Sequence, residues 1–159
     1  MPSVCCYFQV HQPFRLRRFT YFDSSSSFDY FDHKSNQEIF RKVAEKCYLP
    51  ANEKMLRLIE RFDGRFRIAF SISGVAVEQM QRYAPEALDG FVRLVKTGCV
   101  ELIGETYHHS LAALYDEREF TEQVKLHDNL MRGVFGYAPR VFRNTELIYD
   151  DGIGAMVAR

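Results

Sequence analysis

The chain has 159 residues, 47% hydrophobic and 26% charged, a globular composition long enough for one sizeable core and unlike that of a disordered segment. Lysine plus arginine and aspartate plus glutamate each total 21, so no global charge draws the chain to nucleic acid or an anionic membrane surface. Any partner has to be recognised locally. The first residues, Met1 to Phe8, lack the basic stretch and small-residue cleavage site of a secretory signal, and no apolar run is long enough to span a bilayer. A soluble, cytoplasmic protein is expected. Cys5, Cys6, Cys47 and Cys99 show no CxxC spacing and mostly sit in apolar runs, which fits buried thiols better than disulfides or zinc ligands.

Val4 to Val10 is a continuous apolar run of the kind buried on both faces of a sheet, and it stops at His11-Gln12-Pro13. A histidine and an amide therefore stand at the carboxyl end of the first strand. Residues 14–36 form a long aromatic-rich loop in which Phe19, Tyr21, Phe22, Phe28, Tyr30 and Phe31 alternate with aspartates and a serine run. Its rings either stack on sugar faces or pack the loop down, and packing is favoured for most of them. Ser35-Asn36-Gln37-Glu38 offers caps for a helix through Phe40 and Val43, and a second helix through Met55, Leu58, Ile59 and Phe62 closes at Gly64.

Phe66 to Ile72 reads as strand two and ends Ser71-Ile72-Ser73-Gly74. The helical region after it is expected to kink or split at Pro85. Strand three runs from Cys99 to Gly104 and carries Glu101, a carboxylate that needs a partner or a ligand if it is buried. Glu105, Tyr107, His108 and His109 follow at once. Adjacent histidines cannot both point the same way from an extended chain, which argues against a zinc pair there. Asp116 and Glu119 make a capping box for a helix that places His127 on its apolar stripe and ends at Gly136. A fourth strand is expected in Val141 to Tyr149, where Arg143, Asn144 and Glu146 interrupt the apolar run. Glu146 is the candidate nucleophile, with Arg143 and Asn144 beside it to hold the carboxylate ionised. Asp150-Asp151-Gly152 then turns the chain into a helix that is just beginning at Arg159.

Four alternations of strand and helix, with buried-type strands, predict an α/β fold with a parallel sheet and no internal domain boundary over residues 1–159. In such folds the active site forms at the carboxyl ends of the strands. His11, Gln12, Ser71, Ser73, Glu105, Tyr107, His108, Arg143 and Glu146 all fall there, while Glu101 sits earlier in its strand. A complete barrel usually needs about 250 residues. The chain therefore looks like the amino-terminal part of one, and unpaired sheet edges are expected to make the 159 residues self-associate.

His11-Gln12-Pro13, Gly98-Cys99-Val100-Glu101 and Arg143-Asn144-Thr145-Glu146-Leu147-Ile148-Tyr149, in that order and spacing, resemble the family 57 glycoside hydrolases, especially the α-amylase members. The resemblance spans essentially the whole chain. It implies an incomplete seven-stranded (β/α) barrel and a retaining mechanism on α-glucans or maltooligosaccharides. No metal or other cofactor is implied. By position, Glu146 resembles the catalytic nucleophile, and His11 and Glu101 resemble residues that contact the sugar beside the scissile bond. Gln12, Tyr107, His108 and Arg143 are further candidates for substrate binding. Gln9 departs from the pattern, because some members carry histidine there. The family's acid/base aspartate lies on a later strand and has no counterpart in these residues. Three alternatives remain: a 4-α-glucanotransferase, a metal-dependent carbohydrate hydrolase built on His11, His108 or His109, and a non-catalytic glucan-binding barrel fragment.

Overall fold

A computed structural model of the chain describes residues 4–20 and 29–158. Three parallel strands, β1 (Tyr7–Val10), β2 (Ile68–Ile72) and β3 (Val100–Ile103), form a sheet in the order β1-β2-β3. The central strand is buried along its whole length, as its apolar sequence demands. The edge strand β1 is not. Phe8 is 40% exposed and Gln9 is also exposed, because a sheet edge has no second neighbour to cover it.

Helices fill the crossovers. Helix α1 (His33–Val43) and α2 (Leu49–Arg61) are joined without a break by a wider π turn over Ala44–Tyr48, and Pro50 is tolerated because it sits in the first turn of α2. The cap of α1 is Asp32, whose carboxylate accepts from the Ser35 N–H at 2.9 Å, rather than the expected Ser35 box. Helices α3 (Gly74–Tyr83) and α4 (Pro85–Lys96) are split at the expected proline. The residue before it, Ala84, is forced to φ −153°, which no helix accommodates. Helix α5 (Glu117–Phe135) is capped by Asp116 and ended by Gly136 in the left-handed region, both as read from the sequence. Helix α6 (Asp151–Val157) closes the described chain.

The core is a run of rings between the helices and the sheet. Phe40 meets Tyr48 and Tyr83, Tyr48 meets Phe91, and Phe91 meets Phe70 of β2, with centroids 5.4 to 6.4 Å apart in tilted or edge-on geometry. Met131 and Phe135 bring α5 onto the same core. His127, one helical turn before Met131, is fully buried, and its Nε2–H donates to the Ile72 carbonyl at 2.9 Å, pinning α5 to the carboxyl end of β2.

The expected fourth strand is reduced to one parallel bridge, Gly104 to Phe142, followed by a tight turn over Thr145–Leu147. Glu146 and Leu147 have φ of 54° and 60°, incompatible with a strand, so the polar Arg-Asn-Thr-Glu segment breaks the ladder as soon as it forms. The aromatic loop folds back on itself. Leu16 bridges Phe31, Phe14 packs on Phe31 at 5.2 Å, and Phe19 packs on Tyr30 at 5.5 Å, with Phe19, Tyr30 and Phe31 still partly exposed. The stretch 21–28, including Tyr21, Phe22 and Phe28, lies outside the described residues.

The exposed flank of β1, where Val4 is 90% exposed and Phe8 40%, predicts that the 159 residues expressed alone self-associate. Size-exclusion chromatography with light scattering checks this, and a single sharp monomer peak would contradict it. Burial also pushes the His127 imidazole below its ordinary pKa, more strongly than its bond to Ile72 and the nearby Glu105 raise it. The unfolded chain then binds more protons than the folded one, so stability present above pH 6.5 is lost as pH falls below it. His127→Gln is expected to flatten that loss in thermal melts between pH 7.5 and 5, and an unchanged slope would rule this out.

Candidate functional site

The site follows from strand register. Tyr7, Ala69 and Glu101 lie side by side across the three strands. Four residues further along each strand the same register brings His11, Ser73 and Glu105 to one level, roughly 13 Å away at about 3.3 Å per residue. Glu101 is thus at the wrong end for the role given it by resemblance. It is exposed at the amino end of β3, on a groove of about 670 Å³ shared with Cys5, Arg67 and Tyr137 and remote from His11. Glu105, four residues further on, lies at the carboxyl end of the sheet, where its place after β3 puts it.

At the carboxyl ends six side chains converge. Ser73 caps α3, its Oγ accepting from the Ala76 N–H, and the same oxygen lies 2.8 Å from His11 Nδ1. The His11 ring stacks on His109, with centroids 4.4 Å apart and planes 30° from parallel. His109 Nδ1 is 2.9 Å from Oε2 of the buried Glu105, and its Nε2 is 3.7 Å from Oε1 of Glu146. Nε2 of Gln9 approaches both His109 ring nitrogens at 3.1 and 3.2 Å. Where the sequence departs from the family pattern, the glutamine therefore still reaches the cluster. Burial, and then the neighbouring His109, lower the His11 pKa, while Glu105 and Glu146 oppose them less strongly.

Glu146 is held from below. Thr145 and Thr106, both buried, share a 3.0 Å hydroxyl contact, and the Asn144 amide donates to the Ile148 carbonyl at 3.1 Å. His109, Glu146 and Leu147 all occupy the left-handed region, with φ between 54° and 60°. Each such residue costs about 1–3 kcal/mol, and strain of this kind concentrates where side-chain direction matters more than stability. The Glu146 side chain is 71% exposed and open to a ligand.

The remaining candidates are placed differently. Arg143 does not pair with Glu146. Its N–H donates to the Gly104 carbonyl at 2.9 Å and its guanidinium lies 5.0 Å over the Tyr7 ring, so the basic side chain beside Glu146 is the His109 imidazole. Gln12 anchors the loop after β1. Its carbonyl accepts from Gln79 Nε2 at 2.6 Å, and its Oε1 accepts from Arg15 at 3.3 Å. Tyr107 lies flat over Gly74, where a Cβ would come within 2.6 Å of the ring, and its hydroxyl donates to Glu78. Burial and that carboxylate raise the Tyr107 pKa well above the ordinary phenol range. His108 is exposed on the turn that precedes His109 and lies edge-on to Tyr107 at 4.9 Å. His109, which sequence reasoning considered only for a metal site, is the histidine at the centre of the cluster. The available signal was its spacing of four from Glu105, once Glu105 is aligned with His11.

Among the described residues no three His, Cys, Asp or Glu side chains are grouped to hold a metal ion. The arrangement offers an exposed carboxylate, an imidazole within ion-pair range of it, and a buried carboxylate behind that imidazole.

Comparison with known proteins agrees with the fold and the motifs. Residues 5–159 match the profile of glycosyl hydrolase family 57. A protein of Methanocaldococcus jannaschii described as a "putative alpha-amylase" is 48% identical over 148 residues, covering 92% of this chain and 31% of that protein. Among solved structures, a 4-alpha-glucanotransferase from Thermococcus litoralis superposes with a TM-score of 0.71 at 18% identity, over 97% of this chain and 20% of the other. The alpha-amylase AmyC from Thermotoga maritima gives a TM-score of 0.61 at 16% identity, over 99% and 38%. The chain thus spans about a third or less of the length of the relative and of the glucanotransferase. On the profile match and the strand-end cluster together, the chain belongs to glycosyl hydrolase family 57.

Proposed function

We propose that this chain is the amino-terminal part of a seven-stranded (β/α) barrel that cleaves α-1,4-glucans by a retaining double displacement, with Glu146 as the nucleophile. The observation that carries this reading is the position of Glu146, an exposed carboxylate on a strained turn at the carboxyl ends of the strands, facing His109 and its stacked partner His11. Family membership and the relatives named as amylases support the glucan substrate.

A retaining glycosidase needs one carboxylate to attack the anomeric carbon and a second carboxyl, about 5 to 5.5 Å away, to protonate the leaving oxygen. Glu146 supplies the attack, and His11, with Ser73 fixing its ring, binds the sugar hydroxyls beside the scissile bond. Glu105 is unsuited to the second role, because it is buried and engaged with His109. The proton donor is therefore placed on an aspartate of a later strand, as the family resemblance implies. Without it, acid assistance worth roughly 10² to 10⁴ in rate is missing, so the 159 residues alone do not turn over glucan. Transfer of the glycosyl unit to a second glucan shares this first step and differs in the acceptor, water or sugar.

In the protein of natural length, Glu146→Gln is expected to lower maltooligosaccharide cleavage by about 10³-fold or more while leaving sugar binding within a few-fold. Chromatography of the products measures the loss, and the ratio of short to elongated products separates hydrolysis from transfer. Cleavage that survives the substitution would remove Glu146 from the role, and turnover by the 159 residues alone would overturn the assignment of the proton donor.

A further inference from the structure

Tyr107 has no part in the reading above, yet three contacts fasten it to the start of α3. Its ring lies on Gly74, where a Cβ would stand 2.5 to 2.6 Å from three ring carbons. Alanine would serve the helix better than glycine, so the absent side chain at position 74 makes room for the ring. The Tyr107 hydroxyl donates to the exposed Glu78, one turn further along α3, and its carbonyl accepts from the Val75 N–H at 3.4 Å.

The place of this clasp gives it a consequence. Ser73, the residue before Gly74, is the side chain that holds the His11 ring. Glu105 and His109 lie two residues to either side of Tyr107. Neighbouring residues of the same helix start therefore hold the two imidazoles that stack at 4.4 Å, Ser73 by a direct contact with His11 and Gly74 by seating the loop that carries His109. On its other side the loop is tied through Thr106. The Thr106 carbonyl accepts from the His109 N–H at 3.1 Å, and its hydroxyl meets that of Thr145, the residue before Glu146, at 3.0 Å. The Glu146 side chain is 71% exposed, and the His109 ring, 3.7 Å from its Oε1, limits where that carboxylate can turn. His109 itself sits at φ 55°, a conformation that a non-glycine residue keeps only where its surroundings hold it there.

Resting on the glycosidase reading, we propose that Tyr107, seated on Gly74 and bonded to Glu78, is a positioning residue that fixes the His109 ring between His11 and Glu146 without touching the sugar. Attack on an anomeric carbon needs the reacting atoms aligned at about 3 to 3.5 Å, and a misplacement of about 1 Å caused by a remote change costs about 10²-fold. With the ring gone, Thr106 alone would tie the loop, and the strained backbone at His109 would be free to relax.

The test is steady-state kinetics of maltooligosaccharide cleavage by the natural-length protein, run below the melting temperature of each variant. Tyr107→Ala is expected to lower kcat about 10- to 100-fold with KM within a few-fold. Tyr107→Phe, which keeps a ring over Gly74, is expected to lose less. Gly74→Ala, which displaces the ring, is expected to match Tyr107→Ala, and the two together are expected to cost no more than either alone. A rise in KM with kcat unchanged would make Tyr107 a sugar contact, additive losses would separate the ring from the glycine, and a folded Tyr107→Ala with full kcat would leave the clasp merely structural. Each of these overturns the proposal. Nuclear magnetic resonance of the histidine ring protons gives an arm that needs no turnover, because the ring-current shifts of the stacked His11 and His109 are expected to change in Tyr107→Ala and, at the exposed end of the clasp, in Glu78→Ala. Unchanged shifts in Glu78→Ala overturn the proposal even where Tyr107→Ala fails to fold. If the unmodified protein cleaves no glucan, the glycosidase reading fails while the resonance arm still decides whether Tyr107 positions the stacked rings.

Discussion

Parallel strand register is the constraint on which the rest of this structure depends. Once Tyr7, Ala69 and Glu101 are paired across the sheet, the residues four positions on have no freedom to meet anything but each other. His11, Ser73 and Glu105 are brought to one level, and a slip of one residue in any strand would turn that strand's side chains to the opposite face. The aromatic core holds the register by packing Phe70 of the central strand against Phe91 and, through Tyr48, against Phe40.

The cost of the arrangement is concentrated at one end of the sheet. Ser71, Ser73, Glu105, Thr106, Asn144 and Thr145 are all buried there, where water is excluded and each polar atom needs a partner. Most have one. Tyr7 donates to Ser71 at 2.9 Å, the two threonines meet each other, and Ser73 serves both α3 and His11. The exceptions, Glu105 Oε1 and Asn144 Oδ1, flank the segment that carries Glu146 and the histidine that faces it. A fold selected for stability alone would fill those positions with apolar side chains. The left-handed backbone at His109, Glu146 and Leu147 adds to the same expense in the same place.

Much of this was legible in the sequence, and the remainder was hidden for physical reasons. The helix ends at Pro85, Asp116 and Gly136 were readable because caps and breakers act locally. The family motifs likewise singled out His11 and Glu146, which lie on either side of His109 at the same end of the sheet. The fourth strand was misread because its apolar flanks satisfy a strand pattern while the left-handed turn at Glu146 leaves no trace in hydropathy. Glu105 was legible at the carboxyl end of its strand and Glu101 earlier in it, and Glu101 entered the site by resemblance alone, against its place in the strand. Arg143 was assigned to Glu146 as its sequence neighbour. The structure places it over Tyr7 instead and brings in His109 from a loop 37 positions earlier, counting from 146 back to 109.

The account stands on the claim that sugar chemistry occurs at the carboxyl ends of these strands. It is tested most directly by a crystal structure of the natural-length Glu146→Gln protein with an uncleaved maltooligosaccharide. The account predicts an anomeric carbon opposite residue 146, with His11 and His109 against the sugar and Glu105 still covered. A glucan seated instead in the groove beside Glu101 and Arg67, with the histidine cluster empty, would contradict it.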